Sequence, residues 1–248
     1  MSNQYLSDYS EEFSRMWDEL IDWKEREAAE NGKIYKILKD ANCKKILDVA
    51  TGTGFHSLGL IRKSFEVESI DGSINMLNVA KKNAQSIGVK LKTRQHDWRA
   101  IPKNYHNIFD AVICLGNSFT HLESIEDRVL ALKNFHATLK PGGLLLLDQR
   151  NYAKMLESKS SNSATGNVYC GASFKINPSK LDEKIATFEY SHKSSSRFTL
   201  HMHTLFADQV KAWILAAGFK QHSMGPLLSK DSTENSDNIS FILHCATK

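Results

Sequence analysis

The spacing of apolar residues changes period repeatedly along the chain, and each change marks an element. Over residues 10–38, Phe13, Trp17, Leu20, Ile34, Ile37 and Leu38 belong to a helical pattern that Asn31-Gly32 divides into two pieces. The short apolar run at 45–50 predicts a buried strand, followed by a glycine-bearing loop and a helix over 57–62. Alternation at 65–70 predicts a second strand ending at Asp71-Gly72. Residues 74–86 predict a helix with Ser73 as N-cap, and 91–95 a third strand. The segment FDAVICL at 109–115 has the unbroken apolar character of a strand buried on both faces. An amphipathic helix over 128–139 is closed by Lys140-Pro141-Gly142-Gly143, a sharp stop and turn, and a fifth strand occupies 144–148.

Strands alternating with helices predict an α/β fold, a parallel sheet covered on both faces. After Tyr152 the pattern changes. Residues 156–166 are rich in Ser, Asn, Thr and Gly and predict a mobile loop; strand-like runs follow at 168–175, 185–192 and 198–206. A helix over 207–217 ends at Gly218, and 219–223 and 239–245 predict two final strands. One domain over 1–248, with N-terminal helices within 1–42 and an insertion near 153–206, is the simplest organisation.

Composition narrows the class. At 248 residues, 41% hydrophobic and 24% charged, the chain has the make-up of a globular protein large enough to fold without disulfides. Cys43, Cys114, Cys170 and Cys245 lie far apart and form no C-x-x-C pair, so they read as reduced thiols of a cytoplasmic protein. The polar, acidic N-terminus is not a targeting peptide, and the longest apolar run, 144–147, is too short to cross a bilayer. Thirty-two basic and 28 acidic residues are mixed along the chain; the net charge of +4 suits small anionic ligands better than nucleic acid. Neither nucleic acid nor membrane is expected as a partner, and the oligomeric state is not legible.

The first predicted strand runs into Asp48-Val49-Ala50-Thr51-Gly52-Thr53-Gly54. Gly52 and Gly54 let the backbone approach a ligand closely, and the next helix offers its positive end. A dinucleotide fingerprint needs a third glycine three residues after the second; Ser57 stands there, and Gly59 comes two residues late. This departure favours a nucleoside without a pyrophosphate over a nicotinamide cofactor. Asp71, at the end of the second strand, can accept both ribose hydroxyls. Asp97-Trp98, after the third, offers a carboxylate for an adenine amine beside a flat indole.

Taken together, Asp-x-Ala-x-Gly-x-Gly, Asp71, Asp97-Trp98 and FDAVICLGNSFTHL resemble the class I S-adenosylmethionine-dependent methyltransferases. The likeness sharpens at residues 114–122 (CLGNSFTHL), at 147–152 (LDQRNY) and at 17–23 (WDELIDW), which look like the bacterial-type glycine/sarcosine N-methyltransferases that start betaine synthesis. The resemblance implies a Rossmann-like fold: a mostly parallel seven-stranded sheet with helices on both faces and a small inserted antiparallel lid. It implies S-adenosylmethionine as cofactor, S-adenosylhomocysteine as product and no metal. Tyr9, Trp17, Arg26, Ala50, Asp71, Asp97, Trp98 and Leu115 fall at cofactor positions beside the glycine loop, Arg26 matching the arginine that grips the methionine carboxylate. Asn117 and Arg150 match residues that hold the amino-acid substrate, and Tyr190 and Met202 face its amine and methyl groups. Gln149, where the animal enzymes carry His, and Asp97, where they carry Asn, agree with the bacterial-type subgroup.

The implied reaction is methylation of glycine to sarcosine and of sarcosine to dimethylglycine. Glycine offers only a carboxylate and an amine, so selectivity needs a strong anchor, and a guanidinium gives two parallel charge-assisted hydrogen bonds to a carboxylate. The sulfonium is already activated, so alignment can supply most of the acceleration. The amine must be deprotonated to attack; His121, a tyrosine or bulk water serves, and no general base is assigned. The alternatives are an N-methyltransferase for dimethylglycine or another small amine, and a non-catalytic S-adenosylmethionine-binding protein, against which Asn117 and Arg150 together argue.

Overall fold

A computed structural model describes residues 4–160, 170–228 and 239–248, the side chains of 159 and 160 excepted. Ten strands follow in chain order: β1 (Lys45–Asp48), β2 (Glu66–Asp71), β3 (Lys92–Gln95), β4 (Phe109–Cys114), β5 (Leu139–Arg150), β6 (Phe174–Leu181), β7 (Ile185–His192), β8 (Arg197–His203), β9 (Lys220–Pro226) and β10 (Phe241–Thr247). Seven make one sheet in the order β3-β2-β1-β4-β5-β10-β9. The pairs from β3 to β5 are parallel, and β10 runs against both its neighbours. The remaining three, β6-β7-β8, form a separate antiparallel sheet.

Side-chain alternation along the central strands sends residues to two cores. Leu47, Val112, Leu145 and Leu147 pack with Leu132 and Phe135 of α7 (Ile125–Thr138) and with Val210 and Ile214 of α9 (Ala207–Ala216). Ile46, Ala111, Ile113 and Leu146 turn the other way, onto Ile34 and Leu38 of α4 (Lys33–Asp40) and Leu60 of α5 (Phe55–Arg62). A third core joins Phe13 and Leu20 of α2 (Glu11–Leu20), Tyr152 and Met155 of α8 (Tyr152–Ser160), and Phe188, Tyr190, Leu200 and Met202 of the small sheet. It roofs the carboxyl ends of the parallel strands.

The α6 helix (Ile74–Ser86) has its predicted bounds, with the Ser73 hydroxyl accepting from Met76 N. Elsewhere the chain departs from expectation for local reasons. The helical stretch 10–38 breaks a second time, at Ile21, because Asp22 caps α3 (Trp23–Glu30) by accepting from Lys24 N and Glu25 N. A further short helix, α1 (Gln4–Asp8), precedes it. Ser124 starts α7 three residues before 128 by accepting from Asp127 N. Pro141-Gly142-Gly143 does not end an element: Leu139 pairs with Phe109 and Leu144 with Ala111, so β5 passes through with 140–143 bulged out and Gly142 at φ 75°. Buried Tyr152 and Met155 draw 152–160 into helix where a loop was expected from 156. Residues 161–166 of that loop, and 168–169 of the next predicted strand, lie outside the described residues; β6 begins at Phe174.

Candidate active site

One large chamber lies between the carboxyl ends of β1, β2, β4 and β5 and the roof made by α1, α2 and the small sheet, with about 1450 Å³ of empty space including its open mouth. Ligands of open α/β sheets bind at this end, because the parallel strands all deliver their loops there. Tyr9, Trp17, Arg26, Ala50, Gly52, Asp71, Asp97, Trp98, Leu115, Asn117, Arg150, Tyr190 and Met202 all line it. Gly54 does not. It is the N-cap of α5 at φ 102°, and a Cβ there would press on Leu58 and Ala80, so its smallness serves helix packing.

The glycine loop is held from beneath. The Asp71 carboxylate accepts from Gly52 N at 2.8 Å and from Ser73 N at 2.8 Å, tying the end of β2 to the loop after β1. Gly52 sits at φ 53°, and a Cβ there would meet nothing within 4 Å, so its bare backbone faces open space. Burial pushes the Asp71 carboxyl up to about 6, against the pull of the Ser73 and Gly52 amides. Trp98 donates its indole N–H to Val49 O at 2.6 Å, which fixes the ring beside the loop. Burial raises the Asp97 carboxyl, but hydrogen bonds from the Arg99 side chain and N–H outweigh it, so its pKa lies below the usual range. Arg99 also reaches Asp127 at 3.0 Å. Asp97 therefore faces the chamber as an ionised acceptor.

Arg26 enters from α3 with its guanidinium over the Phe55 ring, 4.7 Å from the centroid. It is aimed by Glu30, one turn on, which accepts from its Nε at 2.8 Å and pairs with His56 at 3.0 Å. Burial opposes the Glu30 charge, yet His56 and Arg26 bring its pKa down to about 2. The roof is pinned to the glycine loop and α6 by Asp18. It accepts from Trp23 Nε1 at 3.0 Å, from Asn83 Nδ2 at 2.6 Å and from the Thr53 hydroxyl of the glycine loop.

Asn117 lies in the left-handed region at φ 63°, just past β4. Its N–H donates to Asp148 Oδ1 at 2.6 Å, its Oδ1 accepts from Arg150 N at 2.8 Å, and its Nδ2 donates to Tyr152 Oη at 2.9 Å and to Met202 Sδ at 3.2 Å. One side chain thus joins the ends of β4 and β5 to α8 and β8. The Arg150 guanidinium sits 5.5 Å from the Phe188 ring and 5.2 Å from that of Phe241. Gln149 points away from the chamber: it donates to Leu205 O at 2.7 Å and accepts from buried His244.

Sequence reasoning missed several lining residues, among them Tyr5, Phe55, His56, Met76, Gly116 and Ser118. Tyr5 comes from α1 and reaches the turn at Gly72, where a Cβ would strike its hydroxyl. A five-residue helix at a polar terminus leaves no periodic signal. Gly116, beside Asn117 in CLGNSFTHL, is at φ 80°, an added Cβ there would come within 4 Å of the Arg26 guanidinium, and only its motif context marked it.

A family profile described as a methyltransferase domain matches residues 46–143. Over its full length the chain is 42% identical to the glycine/sarcosine N-methyltransferase of Parasynechococcus marenigrum (strain WH8102), of which it covers 86%. It is 41% identical, again over its full length, to the glycine/sarcosine N-methyltransferase of Aphanothece halophytica, covering 92% of that protein. Among solved structures, an S-adenosylmethionine-dependent methyltransferase from Clostridium acetobutylicum superposes with a TM-score of 0.68 over 95% of this chain and 97% of the other at 17% identity, a likeness of fold.

Proposed function

The chain belongs to the glycine/sarcosine N-methyltransferase family, and from that premise we propose how its chamber works and where it operates. It transfers methyl groups from S-adenosylmethionine to the amine of glycine, giving sarcosine, and to the amine of sarcosine, giving dimethylglycine. The observation that carries the reading is the convergence in one chamber of a nucleoside-type half (Gly52, Asp71, Asp97, Trp98) and an amino-acid-type half (Asn117, Arg150).

The residues fit the cofactor. Asp71 retains lone pairs for ribose hydroxyls beyond the two amides it holds, Asp97 is ionised, and the Gly52 and Gly116 backbones leave room for close approach. Arg26 is the cation placed for the methionine carboxylate, with Tyr9, Trp17, Ala50 and Leu115 completing the walls. When bound, S-adenosylmethionine supplies an electrophilic methyl group on a sulfonium. The chain supplies alignment: Arg150 takes the substrate carboxylate with two parallel hydrogen bonds, Asn117 holds the backbone that presents Arg150, and Tyr190 and Met202 press the amine end toward the methyl group. The aromatic roof, with Phe13 and Tyr190 buried and Tyr9 and Trp17 partly buried against them, limits the access of water to the reacting centre.

The test is methyl transfer from labelled S-adenosylmethionine to glycine, sarcosine and dimethylglycine, with products separated. Label in sarcosine and dimethylglycine supports the reading; label only in trimethylated product, or none, overturns it. We place the reaction in betaine synthesis and the protein in the cytoplasm, on the strength of the bacterial-type motifs and of four cysteines dispersed along the chain with no C-x-x-C spacing. No helix among the described residues is long and apolar enough to cross a membrane.

A further inference from the structure

Behind the end of β5, outside the chamber, a row of polar side chains crosses three neighbouring strands. It starts at half-buried His222 of β9, passes through buried His244 of β10 and ends at buried Gln149 of β5. His222 Nε2 lies 3.0 Å from His244 Nδ1, and His244 Nε2 lies 3.2 Å from Gln149 Oε1. Gln149 Nε2 donates to Leu205 O at 2.7 Å and, more weakly, to Arg150 O at 3.5 Å. A buried polar row of this kind costs stability unless every member is satisfied, so it calls for a reason.

Geometry fixes the direction of the whole row. A carbonyl oxygen only accepts, so the Gln149 amide nitrogen must face Leu205 and Arg150, and the amide oxygen must face His244. That oxygen requires a proton on His244 Nε2. No carboxylate bonds to this ring among the described residues, and burial brings its pKa down to about 3, so the ring is neutral and Nδ1 carries a lone pair. His222 Nε2 must then donate, and it does so whether or not its other nitrogen holds a proton. Each hydrogen bond points from the surface toward the end of β5. A reversed Gln149 amide would set oxygen against the Leu205 oxygen and N–H against the His244 N–H.

The two carbonyls at the end of the row belong to opposite sides of the acceptor space. Arg150 already gives its N–H to Asn117, so its backbone is gripped at both ends. Leu205 follows β8, where the chain leaves the small sheet. Its neighbour Thr204 donates its N–H to Lys184 O at 3.1 Å and its hydroxyl to Asp182 O at 2.7 Å, which makes this return continuous with the sheet that carries Tyr190 and Met202. We propose that Gln149 is a positioning residue, held in one sense by the His222–His244 relay, that sets the spacing between the Arg150 anchor and the small-sheet wall and so limits the size of the acceptor. This rests on the reading of Arg150 as the anchor of the acceptor carboxylate. A fixed spacing suits glycine and discriminates against a substituent on the α-carbon. A loosened one costs affinity for glycine and admits alanine more readily.

Two measurements test this. In the ligand-free protein, ¹⁵N spectra of the imidazoles, with His244 assigned by the His244→Gln variant, should show a proton on Nε2 and none on Nδ1; the reverse tautomer overturns the proposal. Kinetics with glycine and alanine as acceptors give the second. His244→Leu removes the donor to Gln149 and should raise KM for glycine about tenfold, with kcat and S-adenosylmethionine affinity by calorimetry held within about twofold. His244→Gln places an amide nitrogen where Nε2 lay and should recover most of that loss. Gln149→Glu keeps the shape but turns a carboxylate oxygen on Leu205 O, so it should be at least as damaging as His244→Leu. The preference for glycine over alanine should narrow in both. Wild-type KM and preference in His244→Leu, no recovery with glutamine, or an equal loss of kcat and cofactor affinity overturns the proposal. If the buried variants fail to fold, half-buried His222 carries the test: His222→Ala should raise KM for glycine about threefold and His222→Gln should restore it, and an unchanged KM in His222→Ala overturns it. A wild-type protein that methylates neither glycine nor sarcosine overturns the functional reading itself, an outcome separable from all of these.

Discussion

Arg150, proposed above to take the substrate carboxylate, is held in place before any ligand arrives. Its guanidinium is stacked near two aromatic rings, and Asn117 fixes its backbone N–H. Little freedom remains to be lost when a carboxylate arrives. Arg150→Lys keeps the charge but not the fork, so KM for glycine should rise about tenfold or more while S-adenosylmethionine affinity stays; unchanged glycine kinetics would remove the assignment. Asp71 makes a prediction in pH. Its folded pKa of about 6 lies above the ordinary 3.8, so the folded protein binds a proton more tightly than the unfolded chain between those values. Its contribution to stability thus grows as pH falls through that window, while the ionised acceptor proposed for the ribose is lost. S-adenosylmethionine affinity measured calorimetrically should therefore weaken as pH falls below about 6, and a flat profile between pH 5 and 8 would count against the ribose role.

At the scale of elements, the Arg26–Glu30–His56 cluster ties α3 to α5 at the chamber wall. The depressed Glu30 pKa stabilises the fold fully above its ordinary 4.5, and that contribution is lost as pH falls toward about 2. Glu30→Gln leaves Arg26 buried without its carboxylate and should cost about 3 kcal/mol at pH 7 in denaturant titrations, the gap from wild type narrowing below pH about 4.5. Gly59 gives the opposite case. It lies inside α5, and an added Cβ meets nothing within 4 Å. Gly59→Ala should raise stability by about 0.5–1 kcal/mol with unchanged kinetics. The elements most legible in the sequence were those with strong periodicity and their own caps, such as α6 behind Ser73 and β7. Residues 140–143 misled because Pro-Gly-Gly usually ends an element, whereas here pairing on either side carries the strand past it. The α8 helix hid behind a serine-rich sequence whose two apolar anchors come early.

For the molecule as a whole, the sheet and its two covered faces followed from pattern, since each strand declares its burial within a few residues. The chamber did not follow in the same way. Asp71 and Asp97 were legible because parallel strands deliver their ends to a common edge. The roof joins Tyr9 to His121, Asp8 to His201 and Glu19 to His192, contacts between distant segments that no local period encodes. Tyr190 and Met202 were placed by family likeness alone, and both line the chamber. The roof bears weight as well. Gly171 packs so closely that a Cβ would collide with the Glu19 carbonyl of α2. Gly171→Ala should therefore lower the thermal midpoint and weaken turnover together, whereas a change in neither would show that α2 and the small sheet tolerate separation.

The small sheet leaves the main one after β5 and the chain returns at α9, so its three strands form one stretch of sequence rather than scattered loops. That arrangement has a consequence for inheritance. A single recombination or a run of local substitutions within this stretch can reshape the roof of the chamber while the strand ends beneath it, with Asn117 and Arg150, keep their register. The fold is in this sense divided into a fixed socket and a replaceable fitting. Exchange of the stretch between two methyltransferases is the natural way for such a lineage to acquire a new acceptor.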